Sequence, residues 1–170
     1  MISFFFSGNV APSADMLSDF NASLRSIDQL LLQWQASPQS WNQLLLQVFG
    51  RCAPVDLSSI AIELLDATTM AGLRGGYAPI APDGDERIYI NADWLKSASN
   101  AEIEAVLLEE LGHAIDHKLN GSIDTAGDEG AIFSALIRAV AIPAPETTQN
   151  DQHALIINGQ TIAVEASAPV

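Results

Sequence analysis

Three residues near the middle of the chain have types and spacing that suit the hydrolysis of an amide bond. Glu109 and His113 stand one helical turn apart, and Glu110 directly follows the first of them. On a helix, side chains four positions apart share a face and can hold one metal ion, while a neighbouring carboxylate can take a proton from water. The pattern predicts a divalent-metal site at Glu109 and His113, with Glu110 as general base.

The helix around these residues has two unlike faces. At about 100° per residue, five potential ligands or acid–base groups share an arc of about 120°. They are Glu109, Glu110, His113, Asp116 and His117. The other side carries Leu107, Leu111 and Ile115, so we expect the apolar face to enter the core and the acidic arc to line a cleft. The alternative is an acidic helix exposed to water.

His117 offers a different ligand pair, because it lies one turn beyond His113. In that pairing Ala114 would follow the first histidine, so no base would be in place. His117 is therefore an alternative metal ligand, with Glu109 and His113 preferred.

The segment Leu108-Glu109-Glu110-Leu111-Gly112-His113-Ala114-Ile115-Asp116 resembles the active-site helix of gluzincin peptidases, where His-Glu-x-x-Gly-His-Ala is followed by Asp. The resemblance implies a zincin-like α+β fold, in which a small mixed sheet lies against the active-site helix. It also implies that Glu110 is the general base and that His113 binds zinc. Asp116 would orient one of the metal ligands without binding the metal itself.

The third ligand of that family is a Glu on the following helix. Asp128-Glu129-Gly130-Ala131 resembles the Asn-Glu-Ala sequence that carries it, which makes Glu129 the candidate. Glu109 departs from the family, which has His there. Zinc accepts carboxylate oxygen, but a second carboxylate makes the site more anionic and its water less acidic.

A second resemblance covers most of the chain. The succession of Ile88–Asn91, Val106–His113, Gly127–Leu136 and Ile157–Gln160 is similar to a module of large secreted cyanobacterial calcium-binding repeat proteins. That module also has Glu in the first ligand position. The resemblance implies an extracellular setting reached without an N-terminal signal peptide, and it makes calcium an alternative to zinc. Near Gly84, Asp83, Asp85 and Glu86 resemble a calcium loop only in composition, so we interpret them as a polar turn.

Charge and composition limit the partners. The formal charge is −14, from 21 acidic and 7 basic residues, so a polyanion such as nucleic acid is not an expected ligand. No apolar run approaches the ~20 residues that cross a bilayer, and the start of the chain lacks the pattern of a signal peptide. With Cys52 as the single cysteine, an internal disulfide is excluded. We expect a monomer that acts on a peptide or protein substrate.

Turn and capping signals divide one predicted domain, 1–170, into three parts. A helical pair occupies 1–50, the metal-site core spans 55–140, and a β-hairpin around Asn158-Gly159 covers 152–166. In the core, alternation predicts strands near 60–65 and at 87–91, with a glycine-rich loop between them. A capping box at Ser99 and Glu102 begins a helix over 100–119, and a further helix is predicted over 131–140.

The strand at 87–91 is a candidate for substrate binding. In zincins a peptide pairs along an edge strand beside the metal helix, which gives main-chain hydrogen bonds independent of sequence. Tyr89 and Ile90 are the predicted contacts, although the strand could equally be internal. For Tyr77 and Tyr89, packing is a simpler role than donation of a hydrogen bond to an oxyanion.

These observations predict a zinc-dependent metalloendopeptidase in which water attacks a peptide carbonyl and Glu110 takes the proton. The rival interpretations are a non-catalytic metal- or calcium-binding module of a secreted protein and a peptidase-like prodomain. A second unambiguous histidine ligand would separate them, and the sequence lacks one.

Overall fold

Helices and strands follow one another along the chain so that long helices pack on one side of a single sheet. The computed structural model describes residues 3–6, 12–121, 128–142 and 152–166. The strands are β1 (Ser3–Phe6), β2 (Ala61–Leu65), β3 (Gly75–Ala78), β4 (Arg87–Asn91), β5 (Gln152–Ile157) and β6 (Gln160–Glu165). The helices are α1 (Ala14–Gln35), α2 (Pro38–Phe49), α3 (Ala92–Leu95), α4 (Asn100–Asn120) and α5 (Glu129–Ile137).

The sheet is mixed, and its six strands lie in the order β1-β2-β4-β3-β6-β5. β1, β2 and β4 are parallel, whereas β3 runs antiparallel to β4. The hairpin of β5 and β6 joins β3 through one pair of residues, Tyr77 and Glu165. The predicted α+β class, with a small mixed sheet, is confirmed.

The prediction that 87–91 forms an edge strand was wrong. β4 lies inside the sheet, with β2 on one side and β3 on the other. Tyr89 and Ile90 are both fully buried. Alternation of apolar residues shows that a strand forms but not how many neighbours it has. The missed neighbour, β3, lies in the stretch predicted to be loop, because Gly75 and Gly76 have low strand propensity.

Two apolar cores lie on opposite faces of the sheet, because successive side chains of a strand point to opposite sides. The larger core joins Ile62, Leu64, Ile88 and Ile90 to the long helices. The smaller core packs Tyr89 and its neighbours against the C-terminal hairpin. The apolar side chains of the hairpin thus share the smaller core, on the face of the sheet away from the long helices.

Local signals fix several element ends as predicted. Ser99 and Glu102 form the capping box of α4, with both reciprocal hydrogen bonds present. Gly50 ends α2 in the left-handed region, with φ 69°. Asn158 and Gly159 both have positive φ, as a two-residue type I′ hairpin turn requires.

Other boundaries differ from the predictions. The first fifty residues are not purely helical, because β1 precedes α1 and pairs with β2. The helix predicted over 131–140 instead begins at Glu129 and ends at Ile137. The short helix α3 was not predicted. In the ranges given above, no helix has both the length and the apolar character needed to cross a bilayer.

Leu111 tests the packing of α4, since it is 1% exposed within the larger core. Leu111→Ala should lower the free energy of unfolding by ~2–5 kcal/mol, because it leaves a cavity between the helix and the sheet. Leu32→Ala is the matched control on α1, where the leucine is 65% exposed and should cost less than about 0.5 kcal/mol. Urea unfolding with equal losses for both variants would contradict this packing.

Candidate metal centre

The helix that carries the predicted site is buried on nearly all sides. Leu107 and Leu111 enter the larger core, as predicted from the apolar face. Glu110 and His113, from the acidic arc, are also buried, with 0% and 1% of their surface exposed. Glu110, His113 and Asp116 therefore face packed protein rather than an open cleft, whereas Glu109 and His117 are partly exposed.

Two glycines bring α4 and α5 into backbone contact. A Cβ added to Gly112 would lie 2.7 Å from the Cα of Gly130. A Cβ added to Gly130 would lie 2.6 Å from Nε2 of His113 and 2.7 Å from the main-chain oxygen of Glu109. Carbon atoms in contact are normally about 3.5–4.0 Å apart, so neither position accepts a side chain unless the helices separate. This contact places the first turn of α5 directly against His113.

The start of α5 supplies the predicted third ligand. Asp128 caps the helix by accepting a hydrogen bond from the main-chain nitrogen of Ala131 at 2.7 Å. Glu129 is therefore the first helical residue, where the positive end of the helix dipole favours a carboxylate. Its Oε1 lies 3.2 Å from Nδ1 of His113, and Glu129 is only 2% exposed. The structure thus brings together two of the predicted ligands.

A carboxylate that was not predicted also reaches the imidazole. Oε2 of Glu165, at the end of β6, lies 3.4 Å from Nδ1 of His113. The side chain of Glu165 is 26% exposed, so it stands at the rim of the group. The only signal in the sequence was a carboxylate after the alternating apolar residues of the hairpin, and that signal does not show which element the strand will face.

Glu110 occupies the space between α4 and β3. A Cβ added to Gly75 would lie 2.7 Å from Oε1 of Glu110, so the glycine of β3 makes room for this carboxylate. The charge of Glu110 also acts on His113. The predicted base therefore lies beside the predicted ligand and next to the antiparallel strand.

The charges of three carboxylates change the protonation of His113. Burial by itself lowers the pKa of His113, but its hydrogen bond with Glu129 and the charges of Glu110, Glu129 and Glu165 outweigh burial and raise that pKa to about 10. With these groups alone, the imidazole carries one positive charge that faces three carboxylates. Because uncompensated buried charge is costly, the arrangement favours a divalent cation in place of the imidazole proton.

Two sets of side chains bring donor atoms within 4.8 Å of one another, and His113 belongs to both. One set is Glu109, His113 and Asp128; the other is His113, Glu129 and Glu165. Oε2 of Glu129 is buried and makes no hydrogen bond among the described residues, as expected of an oxygen atom that is free to bind a metal ion. The group of imidazole and carboxylates could hold a metal ion. Glu109 and Glu129, however, fall in different sets.

His117 and Asp116 lie outside both candidate metal sets. His117 belongs to neither set, and its ring lies 6.2 Å from that of Tyr77, so the geometry does not support it as an alternative ligand. Asp116 is buried and accepts a hydrogen bond at 2.7 Å from Asn120, which also donates to the main-chain oxygen of Phe49. Asp116 thus helps to fasten α4 to the end of α2, and its role in orienting a ligand stays a prediction.

The polar turn and Tyr77 form a separate network. Tyr77 is fully buried and donates to Glu86 at 3.3 Å, while burial raises the pKa of its hydroxyl. Glu86 also accepts a hydrogen bond from Lys118, and Asp83 pairs with Arg87. Neither acidic residue belongs to a candidate metal set among the described residues. These contacts agree with the interpretation of 83–86 as a polar turn.

Comparison with known proteins gives no family for this arrangement. No protein-family model matches the chain, and no match was found among curated proteins or solved structures. The site is therefore interpreted from its own geometry.

Gly112→Ala tests the contact between α4 and α5. In an ordinary helix this change stabilises by up to about 1 kcal/mol, but here the new Cβ would meet the backbone of Gly130. We expect a loss of ~1–3 kcal/mol in urea unfolding, as overpacking normally causes. Gln33→Ala, at an exposed position of α1, should change the free energy by less than about 0.5 kcal/mol. Stabilisation by Gly112→Ala would show that the helices do not touch there.

Proposed function

We propose that the protein is a zinc-dependent metalloendopeptidase whose centre is built on His113 and Glu129, with Glu110 as general base. The observation that carries the proposal is the buried contact between His113 and Glu129, beside a second buried carboxylate on the same helix. Imidazole nitrogen and carboxylate oxygen are donors that zinc accepts, and the surplus of negative charge suits a divalent cation.

Each side chain has a separate task in this proposal. His113 and Glu129 would hold the ion, together with one further carboxylate. Zinc in such a site acts as a Lewis acid that polarises a carbonyl group and acidifies water. Glu110 would take a proton from the attacking water and pass it to the leaving amine. The charge of Glu110 acts on His113, although Glu110 belongs to neither candidate metal set.

A non-catalytic metal-binding module is the second candidate, and one observation favours it. Glu110, His113 and Glu129 are all almost completely buried. Structural zinc sites are closed by protein ligands, whereas catalytic sites keep a position open. Four interpretations stay predictions from the sequence: calcium as the ion, a role as prodomain, secretion, and action on peptide or protein substrates.

Metal affinity tests the donor set. Glu129→Gln and His113→Ala should each weaken zinc binding by at least about tenfold in competition with a chromophoric chelator, since even partners behind a ligand contribute 10–100-fold. His117→Ala is the matched control, because it removes a histidine from the same helix but outside both sets. Circular dichroism checks that each variant is folded. Equal zinc affinity in all four proteins would refute the assignment.

Glu110→Gln tests the proposed base and separates the enzyme from the module. The amide has the shape of the carboxylate but cannot take a proton, so zinc should still bind while peptide cleavage falls by ~10²–10⁴-fold. Cleavage of a mixed peptide library is counted by mass spectrometry in the presence of zinc. Glu104→Gln, a partly exposed position on the same helix, is the control. If the wild-type protein binds zinc and cleaves nothing, the module is the better description.

A further inference from the structure

The C-terminal hairpin brings Glu165 to the metal centre through the alternation of its strand. Ile162 and Val164 are buried in the smaller core, on the face of the sheet away from the long helices. Glu165 follows Val164 and therefore emerges on the opposite face. There it pairs with Tyr77, which belongs to the larger core. The geometry of the sheet thus directs this carboxylate towards α4.

The distances around His113 suit direct ligation by Glu165. Its Oε2 lies 3.4 Å from Nδ1, and Oε1 of Glu129 lies 3.2 Å from the same nitrogen. Donor atoms about 2.0–2.2 Å from one zinc ion are themselves about 3–4 Å apart. One donor atom from each of the three residues lies within 4.8 Å of the others, so only small adjustments are needed.

Glu109 is placed less well for this set. It shares a set with His113 and Asp128, but not with Glu129. Nδ1 of His113 contacts Glu129 and Glu165, whereas Nε2 faces Gly130. Neutral imidazole, Glu129 and Glu165 balance the charge of a divalent cation. A third ligating carboxylate would add to the buried negative charge of Glu110, which is unfavourable.

An independent observation indicates that this set takes a ligand. Oε2 of Glu129 is buried and makes no hydrogen bond with any described residue. Glu129 is 2% exposed, so bulk water does not satisfy this atom. Buried carboxylate oxygens are normally paired, and a cation would supply the missing partner.

We propose that Glu165 is the metal ligand that completes the centre with His113 and Glu129, in place of Glu109, so that the bound ion fastens the C-terminal hairpin to α4 and α5. This inference rests on the proposed metal site and not on peptidase activity. It also gives the hairpin a second attachment to the α4 side of the sheet, where its ladder with β3 consists of a single pair.

The test compares the full-length wild type with Glu165→Gln, which keeps the shape of the side chain but removes the anionic donor. Zinc affinity, measured by chelator competition, should fall by at least about tenfold in the variant. Glu165→His restores a donor and should recover most of the affinity. Thr161→Ala, at an exposed position of the same strand, controls for disturbance of β6.

Hydrogen–deuterium exchange supplies a readout independent of activity. Zinc should slow amide exchange in 152–166 of the wild type and leave it unchanged in Glu165→Gln, because only the wild type can couple the hairpin to the ion.

Equal zinc affinity in Glu165→Gln and wild type, with loss in His113→Ala, would overturn the inference while the proposed site stands. Loss in Glu109→Gln but not in Glu165→Gln would do the same. If Glu165→His does not recover affinity, Glu165 is structural. Absence of zinc binding by the wild type would overturn both proposals.

Discussion

The backbone contact between Gly112 and Gly130 is the constraint on which the candidate centre depends. Because no Cβ separates α4 from α5 at this point, the first turn of one helix rests on the buried face of the other. His113 follows Gly112 on α4, and Glu129 precedes Gly130 on α5, so the same contact sets the distance between imidazole and carboxylate. A side chain at either glycine would push the helices apart and separate the two donor groups.

Glycine has the same effect where the helix meets the sheet. Gly75 leaves room for the carboxylate of Glu110, which could not lie between α4 and β3 if that strand carried a side chain there. The space beside Gly75 is thus filled by an ionisable side chain, that of Glu110. Such packing is stable only if the charges are balanced, which the helix dipole at Glu129 and the protonated His113 achieve in part. A divalent cation in place of the imidazole proton would neutralise more of this negative charge.

The two faces of the sheet contribute to the centre in different ways. The helical face supplies α4, which is held by an apolar core and therefore presents His113 from a rigid element. The opposite face holds the C-terminal hairpin, whose alternation buries Val164 in the smaller core and turns Glu165 towards the helices. The centre consequently lies where α4 and α5 meet the end of β6.

The sequence by itself determined the features that arise from contacts between near neighbours. The capping box at Ser99, the type I′ turn at Asn158-Gly159 and the position of His113 and Glu110 on one helix all depend on residues a few positions apart. Tertiary structure decided the rest. It placed β4 inside the sheet, made a strand of the glycines at the start of β3, and brought Glu165 rather than His117 to His113. Periodicity records which face of an element is apolar, but the identity of its neighbour depends on packing between distant parts of the chain.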